Sequence, residues 1–274
     1  MTATTTAAPE SVNTSPTRSI GLMNVVRSEW TKLRTVRSTY WTAIAAGLGT
    51  IGIAVLGATE YVRNFTPHKL DDGFDAANFI LQGLYVAQIA LGALGVLAIT
   101  GEYATGMIRT TLTAVPQRRV VIALKGLVYL VAMVIVGETL SFTTFGIGQA
   151  ILHSKHAGVS LSDPGVLHVV VGGGLYIASV GLLAFALGTL VRRTAGALAT
   201  FFGVLFLPSA LIDLLPNSWR TAAIKFAPAN AGTQVLNRWR LHDMLGPWQG
   251  LGILTLYGLV ILLGALFLLG RRDA

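Results

Sequence analysis

The sequence predicts an all-α, polytopic membrane protein, and three observations carry that prediction. The 274-residue chain is 53% hydrophobic and only 12% charged, about half the charged fraction of an ordinary soluble domain, and its mean hydropathy is +0.65. Six stretches are long and apolar enough to cross a bilayer as helices, which takes roughly 20 residues each. Lysine and arginine then divide unequally between the two sides that those crossings define.

The elements follow in order. Residues 1–19, rich in Thr, Ala, Ser and Pro, hold too few apolar groups to fold and are expected to be a disordered tail. The remainder, 20–274, is expected to be one six-span domain. No signal peptide is evident, because the apolar stretch from Ile20 to Val26 is short and no small-residue cleavage site closes it.

Residues 22–40, set on a helix at about 100° per residue, gather Leu22, Val25, Val26, Trp30, Leu33, Val36 and Tyr40 on one face. Asn24, Arg27, Ser28, Thr31, Arg34, Thr35 and Ser38 take the other. That pattern predicts an interfacial helix lying in the membrane plane, with cations toward lipid phosphates. Two residues break it. Arg37 falls on the apolar side, where its stem can snorkel. Glu29 projects from the middle of the apolar arc, where a carboxylate is costly unless paired. Either Lys32, one turn on, supplies the partner, or Glu29 docks on a basic group of the next cytoplasmic loop.

The six spans are residues 41–59, 79–100, 126–150, 166–191, 194–212 and 250–270. Buried helices of a soluble protein are the alternative for any one of them, but six in this length leave little chain to cover them. With the N-terminus inside, thirteen basic residues face the cytoplasm: Arg18, Arg27, Lys32, Arg34, Arg37, Arg109, Arg118, Arg119, Lys125, Arg192, Arg193, Arg271 and Arg272. Seven face out: Arg63, Lys69, Lys155, Arg220, Lys225, Arg238 and Arg240. Basic loops favour the cytoplasm, so both termini are expected inside. The net charge of +8, split this way by membrane side, is a topology signal and argues against a nucleic-acid patch.

Among the spans, the third holds an acid, Glu138. An intramembrane carboxyl lines a translocation path or meets a cationic substrate; alternatively it is protonated or hydrogen-bonded among Thr139, Ser141, Thr143 and Thr144, or paired with Gln88. In the fourth span Gly174 and Ala178, then Ala184 and Gly188, with Gly181 between, form a small-residue stripe that predicts close helix packing.

"GEYATGMIRTTLTAVPQRRV", Gly101 to Val120, is the core of the longest cytoplasmic interruption. A short helix from Tyr103 to Thr113 fits it, with Pro116 closing it and Gly106 admitting another backbone. Such a helix suits force transfer from a partner; a plain basic connector is the simpler reading.

At these residues the chain resembles the membrane permeases of type-2 ATP-binding-cassette exporters. The resemblance rests on "SEWTKLRTVRSTYW", Ser28 to Trp41, leading into span one, on "GEYATGMIRTTLTAVPQRR" after span two, and on six spans with both ends inside. It implies two permease units, identical or different, each bound by a cytoplasmic ATPase in the cell membrane. The loop after span two then looks like the coupling helix, with Glu102, Tyr103, Gly106, Met107, Arg109 and Thr110 as ATPase contacts. The helix carrying Glu29, Trp30 and Lys32 would be the connecting helix. Segment 213–249, with "LPNSW", "FAPANAG" and Trp219, Trp239 and Trp248, looks like the outer region of short or re-entrant helices.

Other chemistry is thinly signalled. The chain holds no G-x-x-x-x-G-K-[ST] loop, so ATP hydrolysis is expected on the partner and no cofactor is expected here. Without cysteine, disulfides, thiolate metal sites and cysteine nucleophiles are excluded. His153 and His156 are three apart, but the sequence places no third metal ligand beside them. A secondary transporter independent of ATP, or a non-transporting scaffold or immunity protein, remains the alternative reading of the same spans.

Overall fold

The structure, a computed structural model, describes residues 22–65, 74–107, 118–155 and 157–272. Among these residues the regular elements are all helical: α1 (Leu22–Thr35), α2 (Arg37–Arg63), α3 (Ala76–Leu81), α4 (Leu84–Ala104), α5 (Arg118–Leu152), α6 (Val166–Val191), α7 (Thr194–Ile212), α8 (Asn217–Ala223), α9 (Pro228–Thr233) and α10 (Pro247–Arg272). Six runs are long and apolar enough to cross a bilayer: α2, α3 with α4, α5, α6, α7 and α10. The chain is an all-α, multi-pass membrane protein. The expected tail, residues 1–19, lies outside the described residues.

Several helices outrun the charge-free stretches of sequence. α2 starts at Arg37 and α5 at Arg118, because backbone hydrogen bonding continues past the hydrocarbon edge while basic side chains stay in the interface. The second crossing is interrupted. Between α3 and α4 the ladder breaks at Gln82 and Gly83, and a Cβ on Gly83 would collide with the carbonyl oxygen of Thr50 on α2. Only glycine permits that approach of two backbones.

The sixth helix is the axis of the bundle. Of its most apolar stretch 89% is buried, against 22% for α2 and for α7. It packs on α4, α5 and α10, whereas α4 and α5 scarcely touch one another. Small residues make this possible. A Cβ on Gly137 of α5 would strike the Gly174 carbonyl, one on Gly95 of α4 would lie 2.9 Å from the Gly181 carbonyl oxygen, and one on Gly188 would lie 2.6 Å from Ile99. Ala178 and Ala184 are buried on the same helix. α2 presents a small stripe inward as well, through Ala46, Thr50, Ala54 and Ala58 at intervals of one turn. Its larger side chains, Leu48, Ile53 and Leu56, face out, as do Leu256, Leu263 and Phe267 of α10.

Two expectations need correction. The helix predicted to run through residues 22–40 breaks at Val36, whose φ of −72° and ψ of 111° are extended. No glycine or proline marks the place; packing of α1 against α5 on one side and the direction of α2 on the other set the bend. Arg37 therefore opens α2 and is exposed. The helix predicted from Tyr103 to Thr113 does not begin at Tyr103; helix resumes at Met107, and residues 108–117 lie outside the described residues. Tyr103 belongs to the last turn of α4, which ends at Ala104, and the chain turns at Gly106 with φ +70°. Nothing within the described chain lies within 4 Å of a Cβ built on Gly106, and its positive φ is one that glycine adopts readily.

The end of the bundle away from α1 is closed by polar stitching. Asp75 caps α3 by accepting from the Ala77 and Asn78 amides, and also accepts from the Arg238 amide. Asn78 donates to the Leu236 carbonyl at 2.9 Å, and Arg238 donates to the Pro164 carbonyl at 2.9 Å. Trp219, Trp239 and Trp248 are exposed around this end, where amphipathic indole rings suit a membrane interface.

Candidate functional site

At the α1 end, four charged side chains from three helices meet. Glu29 and Lys32 come from α1, Glu102 from the last turn of α4 and Lys125 from α5. Lys125 Nζ donates to Glu29 at 2.6 Å and to Glu102 at 2.7 Å. Lys32 Nζ donates to Glu29 at 2.6 Å and to Glu102 at 3.0 Å. The result is a closed ring of alternating charge, net neutral. Glu29 makes the local pair and the cross-chain pair at once, one carboxylate oxygen to each lysine.

Burial decides how the ring behaves. Only 4% of the Glu29 side chain is exposed, and 10% of Glu102 and of Lys125, against 34% of Lys32. Burial pushes the Glu29 carboxyl up, but the Lys125 ammonium, helped by Lys32, outweighs this and holds it below the usual carboxylate range. Burial likewise depresses Lys32, and its two carboxylate partners reverse the effect, leaving it above the usual ammonium range. Both groups are held charged. A buried pair in a ring of this kind is costly to break and of modest net benefit when whole. Its effect is positional: α1 cannot part from α4 and α5 without uncovering charge.

The ring explains why α1 departs from a lipid-facing amphipathic pattern. Val25, Glu29, Lys32 and Leu33 form one helical face, and that face meets protein: Val25 and Glu29 are buried, and Leu33 packs on the central core. Trp30 is half-buried beside it.

The residues singled out in the loop divide. Glu102 is in the ring. Tyr103, one residue on, lies under the Arg192 guanidinium at 5.6 Å, which ties α4 to the turn between α6 and α7. Gly106 makes the left-handed turn and Met107 is exposed just beyond it. Arg109 and Thr110 lie outside the described residues.

Glu138 is elsewhere, wedged between α5 and α6. A Cβ on Gly174 would collide with its carboxyl and lie 2.7 Å from its Cα. Its Oε2 is buried without a hydrogen-bond partner. None of the neighbours weighed from sequence reaches it: Thr139 donates to the Ile135 carbonyl, Ser141 to the Val170 carbonyl, and Gln88 accepts from Tyr176.

Sequence reasoning missed a cavity of about 410 Å³ bounded by α4, α6, α7 and α9. Tyr85, Gln88, Tyr176, Asn230 and Thr233 give it polar groups at membrane depth, beside Ile89, Phe206 and Ala229. Tyrosines inside apolar runs read as ordinary span residues; the usable signal was Gln88, an amide well inside its span. His153 ends α5 in a short turn, and His156 lies outside the described residues. Among the described residues no three His, Cys, Asp or Glu side chains converge as metal ligands would.

No protein-family model matches the chain, and no curated protein matches it closely enough to register as similar.

Proposed function

We propose that this chain is the permease subunit of an ATP-driven exporter, with both termini in the cytoplasm of the cell membrane. A separate cytoplasmic ATPase would supply the energy and a second permease unit would complete the path. The observation that carries this reading is the ring of Glu29, Lys32, Glu102 and Lys125. It fastens the N-terminal helix to the point where the chain leaves α4 for the loop after span two. A push on residues 102–107 is then delivered to α1 and α5 together, since moving one alone exposes charge. A plain connector between spans has no need of such a clamp.

Two further features support the reading. The polar cavity of Tyr85, Gln88, Tyr176, Asn230 and Thr233 offers a cargo hydrogen-bonding groups within an otherwise apolar bundle. α2 and α7, which both pack on α4, keep broad apolar faces uncovered, suited to lipid or to a second unit. One observation favours a different reading: the unpartnered carboxyl of Glu138 is the kind of group a proton-coupled transporter uses.

Purification of the tagged chain from its native membrane in mild detergent tests the proposal. Recovery of a P-loop ATPase in stoichiometric amount, lost on charge reversal of Lys125, is the expected result. Transport by reconstituted chain alone, driven by a proton gradient and insensitive to ATP, would establish the other reading in its place.

A further inference from the structure

Beside the charge ring, between α1, the foot of α2, α4 and α5, is a cavity of about 350 Å³. Leu33, Val36, Leu94, Leu97, Val128 and Phe185 make its walls apolar. A space this size holds roughly a dozen water-sized volumes and falls within the range, about 300–1,000 Å³, of sites that take small ligands. Most of the wall surface is apolar and the charged groups on it are already paired with one another, which favours an apolar occupant. The four side chains of the ring, Glu29, Lys32, Glu102 and Lys125, also border it, paired with one another, and Ser38, Thr39, Thr105 and Tyr129 add neutral polar groups.

Lys32 also edges a shallow cleft on the outer face of α1, with Asn24, Arg27, Ser28, Thr31 and Thr35. The three hydroxyls already donate to backbone carbonyls, Ser28 to Val25, Thr31 to Arg27 and Thr35 to Thr31. The donors left to a ligand are therefore the Arg27 guanidinium, the Asn24 amide and the third N–H of Lys32, whose other two go to Glu29 and Glu102. Among the described residues of the cleft there is no carboxylate; Glu29 and Glu102 are buried at the chamber, where each is paired with both Lys32 and Lys125. The cleft is thus complementary to an anion, and it shares Lys32 with a chamber complementary to a hydrocarbon chain.

We infer that this paired site binds one anionic phospholipid, with an acyl chain in the α1–α4–α5 cavity and its phosphate on Arg27 and Lys32. The second chain stays in the bilayer. The bound lipid fills space that the helices leave open and braces α1 next to the charge ring. The inference needs only the membrane-embedded fold and stands whether or not an ATPase is the partner.

Native mass spectrometry of the full chain, stripped of lipid in detergent and titrated with phosphatidylglycerol or phosphatidylcholine of the same chain length, tests it. The expected result is saturable one-to-one binding of phosphatidylglycerol, about tenfold tighter than phosphatidylcholine, the contrast of a charge-assisted phosphate contact. Gly101→Phe and Ala98→Leu project into the cavity; a Cβ on Gly101 meets nothing within 4 Å. Each is expected to weaken both lipids at least about tenfold, because the apolar contact of a whole chain is lost. Arg27→Gln is expected to bring phosphatidylglycerol down to the phosphatidylcholine level and leave the latter unchanged. Thermal melting confirms that each variant is folded, and Ala98→Leu decides if Gly101→Phe is not. Binding without saturation, or undiminished in a folded cavity-filling variant, overturns the inference. So does competition by inorganic phosphate as strong as by the lipid, which would make this a head-group site alone.

Discussion

Removing the Lys125 ammonium is the sharpest perturbation the structure offers. In Lys125→Met the side chain keeps its length, but Glu29 and Glu102 are left to share Lys32, which touches one oxygen of each. Breaking a buried pair by deleting one partner costs about 3–5 kcal/mol. Lys32 is the most exposed member of the ring and retains half the contacts, so roughly 2–4 kcal/mol is expected for this variant. At roughly 2–4 °C per kcal/mol for a chain of this size, the melting midpoint in detergent should fall on the order of 5–10 °C. Adding Glu29→Gln restores charge balance, leaving Lys32 and Glu102 as a simple pair. The double variant should therefore melt above Lys125→Met, an interaction energy that the mutant cycle reads directly. A Lys125→Met protein melting within about 2 °C of the parent, or a double variant below the single one, would refute the view that the ring clamps α1.

The same ring sets a pH window. Glu29 is held below the ordinary value of 4.5, so its contribution is present above that value and disappears as pH falls through the depressed one. Lys32 is held above 10.5, so its contribution is present below that value and disappears as pH rises through the raised one. In a melting series across pH, Lys125→Met should move the acid limb upward, because the cation that most lowers Glu29 is gone. Gly174→Ala forces a methyl into Glu138 across the α5–α6 contact and should cost roughly 1–3 kcal/mol, whereas Gly203→Ala, with nothing within 4 Å, should be neutral or stabilising by up to about 1 kcal/mol; paired melting curves separate them. Tyr176→Phe removes the donor to buried Gln88 and should lower stability by roughly 1–3 kcal/mol, again read by melting. Glu138→Gln should slow transport severalfold with little change in midpoint, and wild-type rates for all cargoes would deny that carboxyl a role in transport.

Much of the architecture was legible in the sequence because it depends on local composition. Apolar runs near 20 residues, free of charge in all but the third with its Glu138, marked every crossing, and Arg192–Arg193 alone separated the fourth from the fifth. What long-range packing decides was harder to read. Val36 carries no breaking signal, yet the helix bends there because α1 must meet α5. Glu29 stood out as misplaced on an apolar arc, which announced a partner without choosing one; Lys125, 96 positions away, is chosen only by the fold. Gly106 was read as room for another backbone, and its left-handed φ of +70° was not legible from sequence. Tyr85 and Tyr176 gave no hint of their cavity, since a tyrosine within an apolar run looks the same whether its hydroxyl meets lipid or Gln88.

The enclosed position of α6 bears on how the chain is made. It is the fourth crossing to leave the ribosome, yet α4 and α5, made earlier, meet mainly through two side chains, Lys125 on Glu102 and Tyr129 on the Leu91 carbonyl. Until residues 166–191 insert, the face around Gly137 has only lipid to fill it and Gly95 only Tyr129 of α5, so a nascent chain halted before that point presents an unfilled notch to the bilayer. Assembly then proceeds inward and outward from a late keystone rather than in order of synthesis, and the moment α6 arrives is when earlier helices acquire their final neighbours.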